Sequence, residues 1–228
     1  VPAMGTRFWR FSHLIMQRAL YSILRNSVMF GWLLMAMVGQ ARANEQNILV
    51  LGDSISAAYG MSLEQGWVAQ LAGRLQQQGA QFNVVNASIS GETTAGGLRR
   101  LPALLQEHLP KVVIIELGAN DGLRGYPLKS LQDNLAQLAQ LSQQAGARVI
   151  LLPMEIPPNY GPRYTSGFRE SFTEVATSTD SVLAPFMLDG FATDPKFMQE
   201  DGIHPTVAAQ PLILEKVLPT VTAVLADL

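Results

Sequence analysis

The sequence predicts an α/β protein built on a mostly parallel sheet with helices on both faces. Three observations lead there. Short apolar runs rich in branched residues recur at Ile48–Leu51, Phe82–Val85, Val112–Leu117 and Val149–Leu152. Longer amphipathic stretches alternate with them, at Leu63–Gln78, Ala95–His108, Leu128–Gln144 and about Arg163–Ala176, and Val207–Leu225 closes the chain. No repeat, linker or low-complexity tract interrupts the alternation. Strand alternating with helix favours βαβ units, and hence parallel strands covered on both sides.

Each element has its own warrant. The apolar runs are short and unalternating, as strands buried on both faces are. Gly79 and Gly146 stand where the helices before them should stop. Pro157-Pro158-Asn159-Tyr160-Gly161-Pro162 suits neither helix nor central strand, so it is read as a loop after the fourth strand. A fifth strand is the faintest element, with its best place around Ser181–Leu183.

The N-terminus stands apart. Residues 1–43 carry five arginines and no acid, and an apolar stretch runs from Val28 to Val38. Ala41-Arg42-Ala43 follows, a small-x-small site. This is the layout of a secretory signal peptide, with cleavage expected before Asn44. The apolar stretch is short of the roughly 20 residues a membrane span needs, which disfavours the alternative of an uncleaved anchor. Met4 and Met16 are both candidate starts. Met16 would leave a leader of ordinary length, with residues 1–15 an untranslated extension. The expected mature chain, 44–228, is of a length for one domain.

Without residues 1–43 the basic residues fall from 16 to 11 against 18 acids, a formal charge of −7. That balance argues against nucleic acid as a partner. There is no cysteine. Disulfides, a thiol nucleophile and a lipid-modified N-terminal cysteine are thereby excluded, and the expected product is a soluble periplasmic or secreted protein.

In such sheets ligands lie at the carboxyl ends of the strands. The segments after the first three strands are small and polar: Gly52-Asp53-Ser54-Ile55-Ser56, Ala87-Ser88-Ile89-Ser90-Gly91 and Gly118-Ala119-Asn120-Asp121-Gly122. A fourth, Asp201-Gly202-Ile203-His204-Pro205, precedes the last helix. Together they hold the parts for acyl transfer. A serine hydroxyl needs a base to become a nucleophile, and histidine is the usual one. Of three histidines, His13 falls in the leader and His108 in a solvated helix end, which leaves His204 for Ser54. Asp201, three residues before His204, can accept its Nδ1–H and leave Nε2 for the serine. It can equally be the cap of the last helix. Backbone N–H groups near Ser54 and Gly91, and the Asn120 amide, can serve an oxyanion. Gly91 and Asn120 can also be ordinary turn residues. Asp53 is read as tightening its loop through backbone N–H bonds rather than joining the chemistry.

The four blocks, in this order over residues 48–205, resemble those of the GDSL, or SGNH, hydrolases, with Ile55 in place of the family's leucine. Within that family they are most similar to the bacterial periplasmic enzymes acting as acyl-CoA thioesterase, lysophospholipase and arylesterase. The resemblance implies Ser54 as nucleophile, His204 as base, Asp201 as its orienter, and an oxyanion hole of Ser54, Gly91 and Asn120. It implies a flavodoxin-like three-layer α/β/α sandwich with five parallel strands. It also implies a monomer that acts on small acyl esters and thioesters without metal or cofactor. Met154, Ile156 and Tyr160, in the loop after the fourth strand, are the expected substrate contacts.

Three alternatives remain beside it: a carbohydrate O-acetylesterase of the same family, a metallophosphoesterase, and a non-enzymatic flavin- or phosphate-binding module. The second is short of histidine ligands, and the third leaves Asp201 and His204 without a role.

Overall fold

A computed structural model describes residues 46–228. The expected leader and its cleavage site lie outside the described residues. Five strands form one parallel sheet: β1 (Gln46–Gly52), β2 (Phe82–Asn86), β3 (Val112–Glu116), β4 (Arg148–Leu151) and β5 (Val182–Leu183). Their spatial order is β2-β1-β3-β4-β5. The reversal of order falls between β1 and β3, the neighbours whose carboxyl ends open a crevice for ligands.

Burial follows position. Ile48–Leu51 of β1 and all five residues of β3 are buried, as expected of strands covered on both faces. The edge strand β2 is only partly buried. The helices are α1 (Trp67–Gln77), α2 (Thr94–His108), α3 (Ala119–Leu123), α4 (Leu128–Gln144), α5 (Pro162–Ser178) and α6 (Gln210–Ala226). α1 packs with α6, and α2, α4 and α5 pack in a row. These two groups are the outer layers of the sandwich, and the expected fold class holds.

Local differences have local causes. The stretch expected as one helix from Leu63 divides into a 3₁₀ turn, Leu63–Gln65, and α1. Gly66 between them is extended, at φ −68° and ψ 154°. The Ser62–Gln65 capping box completes the short turn on its own. The final stretch likewise begins as a 3₁₀ turn, Val207–Ala209, before α6. β5 is two residues long, within the segment expected for it. Helix α3 was not among the expected elements. Its Asp121 is buried and accepts both the Thr94 backbone N–H (2.9 Å) and the Thr94 hydroxyl (2.6 Å), which joins α3 to the start of α2.

By length and hydropathy the segment Val207–Ala226 could cross a membrane. Instead Ile213, Leu214, Val217, Leu218, Val221 and Val224 are buried in the core. It is an apolar core helix of the sandwich.

Candidate active site

β1 delivers Ser54 to the crevice. The chain leaves β1 at Gly52 and turns at once, with the Ala57 N–H on the Asp53 carbonyl (3.0 Å) and the Tyr59 N–H on the Ser54 carbonyl (3.0 Å). No α-helix follows until Trp67. Gly52 is required by close approach. A Cβ there would lie 2.7 Å from both Glu116 Oε2 and Ser56 Cβ.

The loop before α6 brings Asp201 and His204. Asp201 Oδ1 accepts the backbone N–H of Ile203 (2.9 Å) and of His204 (3.0 Å), and Oδ2 lies 2.6 Å from His204 Nδ1. His204 Nε2 lies 2.9 Å from Ser54 Oγ. Partial burial pushes the Asp201 carboxyl up. The backbone N–H of His204, its imidazole and the Ile203 N–H outweigh this and bring it down to about 2. An ionised Asp201 can only accept, so Nδ1 carries the hydrogen and Nε2 accepts the Ser54 hydroxyl. The result is one continuous chain of hydrogen bonds from Asp201 to Ser54. Such a chain is the arrangement by which an imidazole can take a serine hydroxyl's proton.

One ring contact flanks the imidazole besides Asp201, and one side chain ties the segments around it. The ring of Tyr59 lies against it, with centroids 4.3 Å apart and planes tilted by 35°. Gln199 Nε2 donates to Tyr59 O and to Pro205 O, on either side of the site. Neither residue was singled out in the sequence, because each acts through spatial neighbours that sequence spacing does not reveal.

Donors for an anion line the other side. Among the described residues, neither the Ser54 nor the Gly91 backbone N–H has an acceptor. Gly91 adopts φ +77°, the left-handed region open to glycine, and Arg124 Nη2 holds its carbonyl at 3.1 Å. Asn120, at the start of α3, donates from Nδ2 to Asp53 Oδ2 (3.1 Å). Asp53 accepts the Ile55 N–H as expected of a loop-tightening residue, and it holds the Asn120 amide as well. Glu116 passed unnoticed inside the apolar run of β3. Its signal was the single acid in an otherwise apolar strand. It is fully buried beneath Ser54, where Oε2 accepts the Asp53 N–H (3.1 Å) and the Ser56 hydroxyl (2.7 Å).

A cavity of about 330 Å³ opens beside these groups. Ile55, Ala119 and Ile203 line it, the chain neighbours of Ser54, Asn120 and His204. Met154, Ile156 and Phe186 form apolar wall farther in. Tyr160 is elsewhere. Its hydroxyl donates to the Leu123 carbonyl (2.7 Å), and its ring lines a separate depression with Leu128 and Tyr164. Met187 and Phe191 belong to the core. Among the described residues, no three His, Cys, Asp or Glu side chains converge as a metal-holding group.

Fold and site together describe an α/β protein with a Ser–His–Asp hydrogen-bond chain at the carboxyl edge of its sheet. Residues 50–211 match the GDSL-like lipase/acylhydrolase family, and the chain belongs to that family of hydrolases. It is 50% identical over 202 residues to esterase TesA of Pseudomonas aeruginosa, which covers 89% of this chain and 100% of that protein. It is 43% identical over 173 residues to thioesterase 1/protease 1/lysophospholipase L1 of Escherichia coli K12, over 76% of this chain and 82% of that one. A crystal structure of TesA superposes with a TM-score of 0.77 at 54% identity, covering 78% of this chain and 99% of that one. A structure of the esterase EstA from Pseudoalteromonas, inhibited by monoethylphosphonate, gives the same TM-score at 46% identity, over 80% of this chain and 100% of that one.

Proposed function

We propose that this chain hydrolyses acyl esters and thioesters through an acyl-enzyme formed on Ser54. The observation that carries the reading is the Asp201–His204–Ser54 hydrogen-bond chain, whose chain neighbours Ile55 and Ile203 line a mostly apolar cavity. Ser54 Oγ attacks the substrate carbonyl carbon while His204 Nε2 takes the hydroxyl proton. The carbonyl oxygen becomes an oxyanion, facing the Ser54 and Gly91 N–H groups and the free N–H of the Asn120 amide. As the intermediate collapses, the bond from carbonyl carbon to the leaving oxygen or sulfur breaks. His204 returns its proton to that atom, and an alcohol or thiol departs. Water then attacks the acyl-enzyme, again with its proton passing to Nε2. Ser54 is released with its hydroxyl restored, and the product is the free acid. Asp201 stays ionised throughout and steadies the imidazolium.

The cavity favours an acyl chain over a sugar, since its walls are mostly apolar, with Glu155 and Thr193 the polar side chains among the lining residues. The relatives are named esterase, arylesterase and thioesterase/lysophospholipase, and these point to aryl esters, acyl thioesters and lysophospholipids as the substrates to try. Phosphonates react with activated serines, so inhibition of EstA by one supports the same mechanism here. The leader-like residues 1–43 support export to the periplasm, which fractionation of cells carrying the full chain would test.

The test is direct. Ser54→Ala and His204→Ala should each nearly abolish hydrolysis of p-nitrophenyl acyl esters and leave the thermal unfolding curve in place. A fluorophosphonate should label the wild type once, at Ser54. Labelling at another residue, or unchanged turnover in Ser54→Ala, would falsify the mechanism.

A further inference from the structure

Behind Ser54 lies a buried pair of carboxyl groups that the reaction scheme does not use. Asp53 is 1% exposed and Glu116 0%. Asp53 Oδ1 accepts the Ile55 N–H (3.1 Å), and Oδ2 accepts one N–H of the Asn120 amide (3.1 Å). Glu116 Oε2 takes two donors, from Asp53 N and Ser56 Oγ. Glu116 Oε1 is equally buried and receives none.

An ionised carboxylate would not leave a buried oxygen without a donor, because that forfeits hydration with nothing in return. A protonated one has an O–H to place there. The Asp53 backbone N–H lies on Glu116 Oε2 at 3.1 Å, which sets the Asp53 carboxyl beside Glu116 as the acidic neighbour able to accept such an O–H. Two adjacent carboxyls in a dry site do not both ionise. The surroundings decide which keeps the proton. Complete burial, then the charge of Asp53, push Glu116 well above the usual carboxylate range. Burial raises Asp53 too, but there the Ile55 N–H, the Glu116 side chain, His204 and the Asn120 amide all favour the charged form.

We propose that Glu116 is held as a neutral acid that donates its O–H to Asp53, and that the Asp53 carboxylate thereby orients the Asn120 amide for the oxyanion. Asp53, an acceptor only, forces Nδ2 rather than Oδ1 of Asn120 to face it. The amide is planar, so fixing one N–H fixes the direction of the other. Asp53 and Glu116 are thus positioning residues that act through Asn120. The inference rests on the reading of Asn120 as an oxyanion donor.

A double-mutant cycle on p-nitrophenyl ester hydrolysis tests it. Asp53→Asn should lower kcat by roughly 10- to 100-fold with KM little changed, within the ~10²–10³-fold that one oxyanion donor is worth. In the Asn120→Ala background the same change should cost little more, because its route of action is gone. Costs that multiply independently overturn the link between Asp53 and Asn120. Wild-type rates in Asn120→Ala would overturn the reading of Asn120 itself, and this inference with it. Glu116→Gln keeps an acceptor oxygen and places an N–H donor where a neutral acid has its O–H, and should recover most of the kcat that Glu116→Leu loses. Equal loss in both overturns the neutral-acid assignment. The infrared spectrum of the wild type needs no folded variant for its first answer. It should show a protonated-carboxyl C=O stretch at neutral pH that Glu116→Gln lacks, and absence of that band from the wild type overturns the assignment.

Discussion

Gln199 Nε2 donates to the backbone carbonyl of Tyr59 at 2.9 Å and, with its other N–H, to that of Pro205 at 3.0 Å. One side chain thereby ties the turn that carries Ser54 to the loop that carries His204. The Gln199 backbone N–H also binds the His204 carbonyl at 2.7 Å, within the loop itself.

Removing that clasp should loosen the site more than the fold. Gln199→Ala deletes two hydrogen bonds, each worth about 1 kcal/mol net, and a stability loss of about 1–2 kcal/mol is expected in urea unfolding. The kcat for p-nitrophenyl esters should fall as well, since the Ser54–His204 distance depends on both loops. Wild-type kcat in a measurably destabilised variant would show that the loops hold their spacing without Gln199.

Asn120→Ala should cost roughly 2.7–4 kcal/mol of transition-state stabilisation, read from kcat/KM. A loss confined to KM would mark Asn120 as a substrate-binding residue instead.

The Asp201–His204 contact should survive acid. The native Asp201 carboxyl titrates at about 2, below its ordinary value of 3.8. For a depressed carboxyl the stabilising contribution is fully present above the ordinary value and lost as pH falls through the native one. The downfield Nδ1–H resonance of His204 should therefore persist from neutral pH to about pH 4 and be missing in Asp201→Ala. Its disappearance from the wild type above pH 4 would contradict the assigned bond. Asp201 is 39% exposed, so solvent screens the contact and part of its role. Its removal should lower kcat by no more than the roughly 10⁴-fold seen for a fully buried partner.

Ala192 lines the cavity, and Ala192→Phe should fill part of it. Turnover of long-chain p-nitrophenyl esters should drop while acetate and butyrate esters keep theirs. A uniform loss across chain lengths would place the acyl chain elsewhere.

Gly52→Ala probes the close approach at the end of β1. The added methyl would meet Glu116 and Ser56 at 2.7 Å, and a destabilisation of about 1–3 kcal/mol is expected from overpacking. An unchanged midpoint of thermal unfolding would mean that the two side chains can withdraw freely.

Much of this architecture was readable in one dimension. Ile48–Leu51 and Val112–Leu117 announce strands buried on both faces, because only such strands lack polar alternation. Ser54 and Asn120 follow those runs directly, and Gly91 lies in the segment after Phe82–Val85, so all three fall at the carboxyl ends of strands. Asp201 and His204 lie three residues apart, and a turn of that length brings carboxylate and imidazole together by itself. The break at Gly66 was not readable, since Leu63–Gln78 keeps an amphipathic pattern across it. Helix α3 was hidden in a segment whose Asn-Asp-Gly composition favours a turn.

Local pattern and spacing were enough for the sheet, the strand-end blocks and the pairing of Asp201 with His204, because those depend on neighbours within a few residues. The tertiary structure decided the rest. It set His204 Nε2 at 2.9 Å from Ser54 across 150 residues of chain. It turned Tyr160 away from the cavity that Met154 and Ile156 line, because its hydroxyl finds the Leu123 carbonyl instead. And it placed Glu116 against Asp53, a contact made by the pairing of β1 with β3, which brings Gly52 opposite Glu116. Side-chain direction and long-range register depend on how the packed layers fit together, and no short stretch of sequence contains both partners.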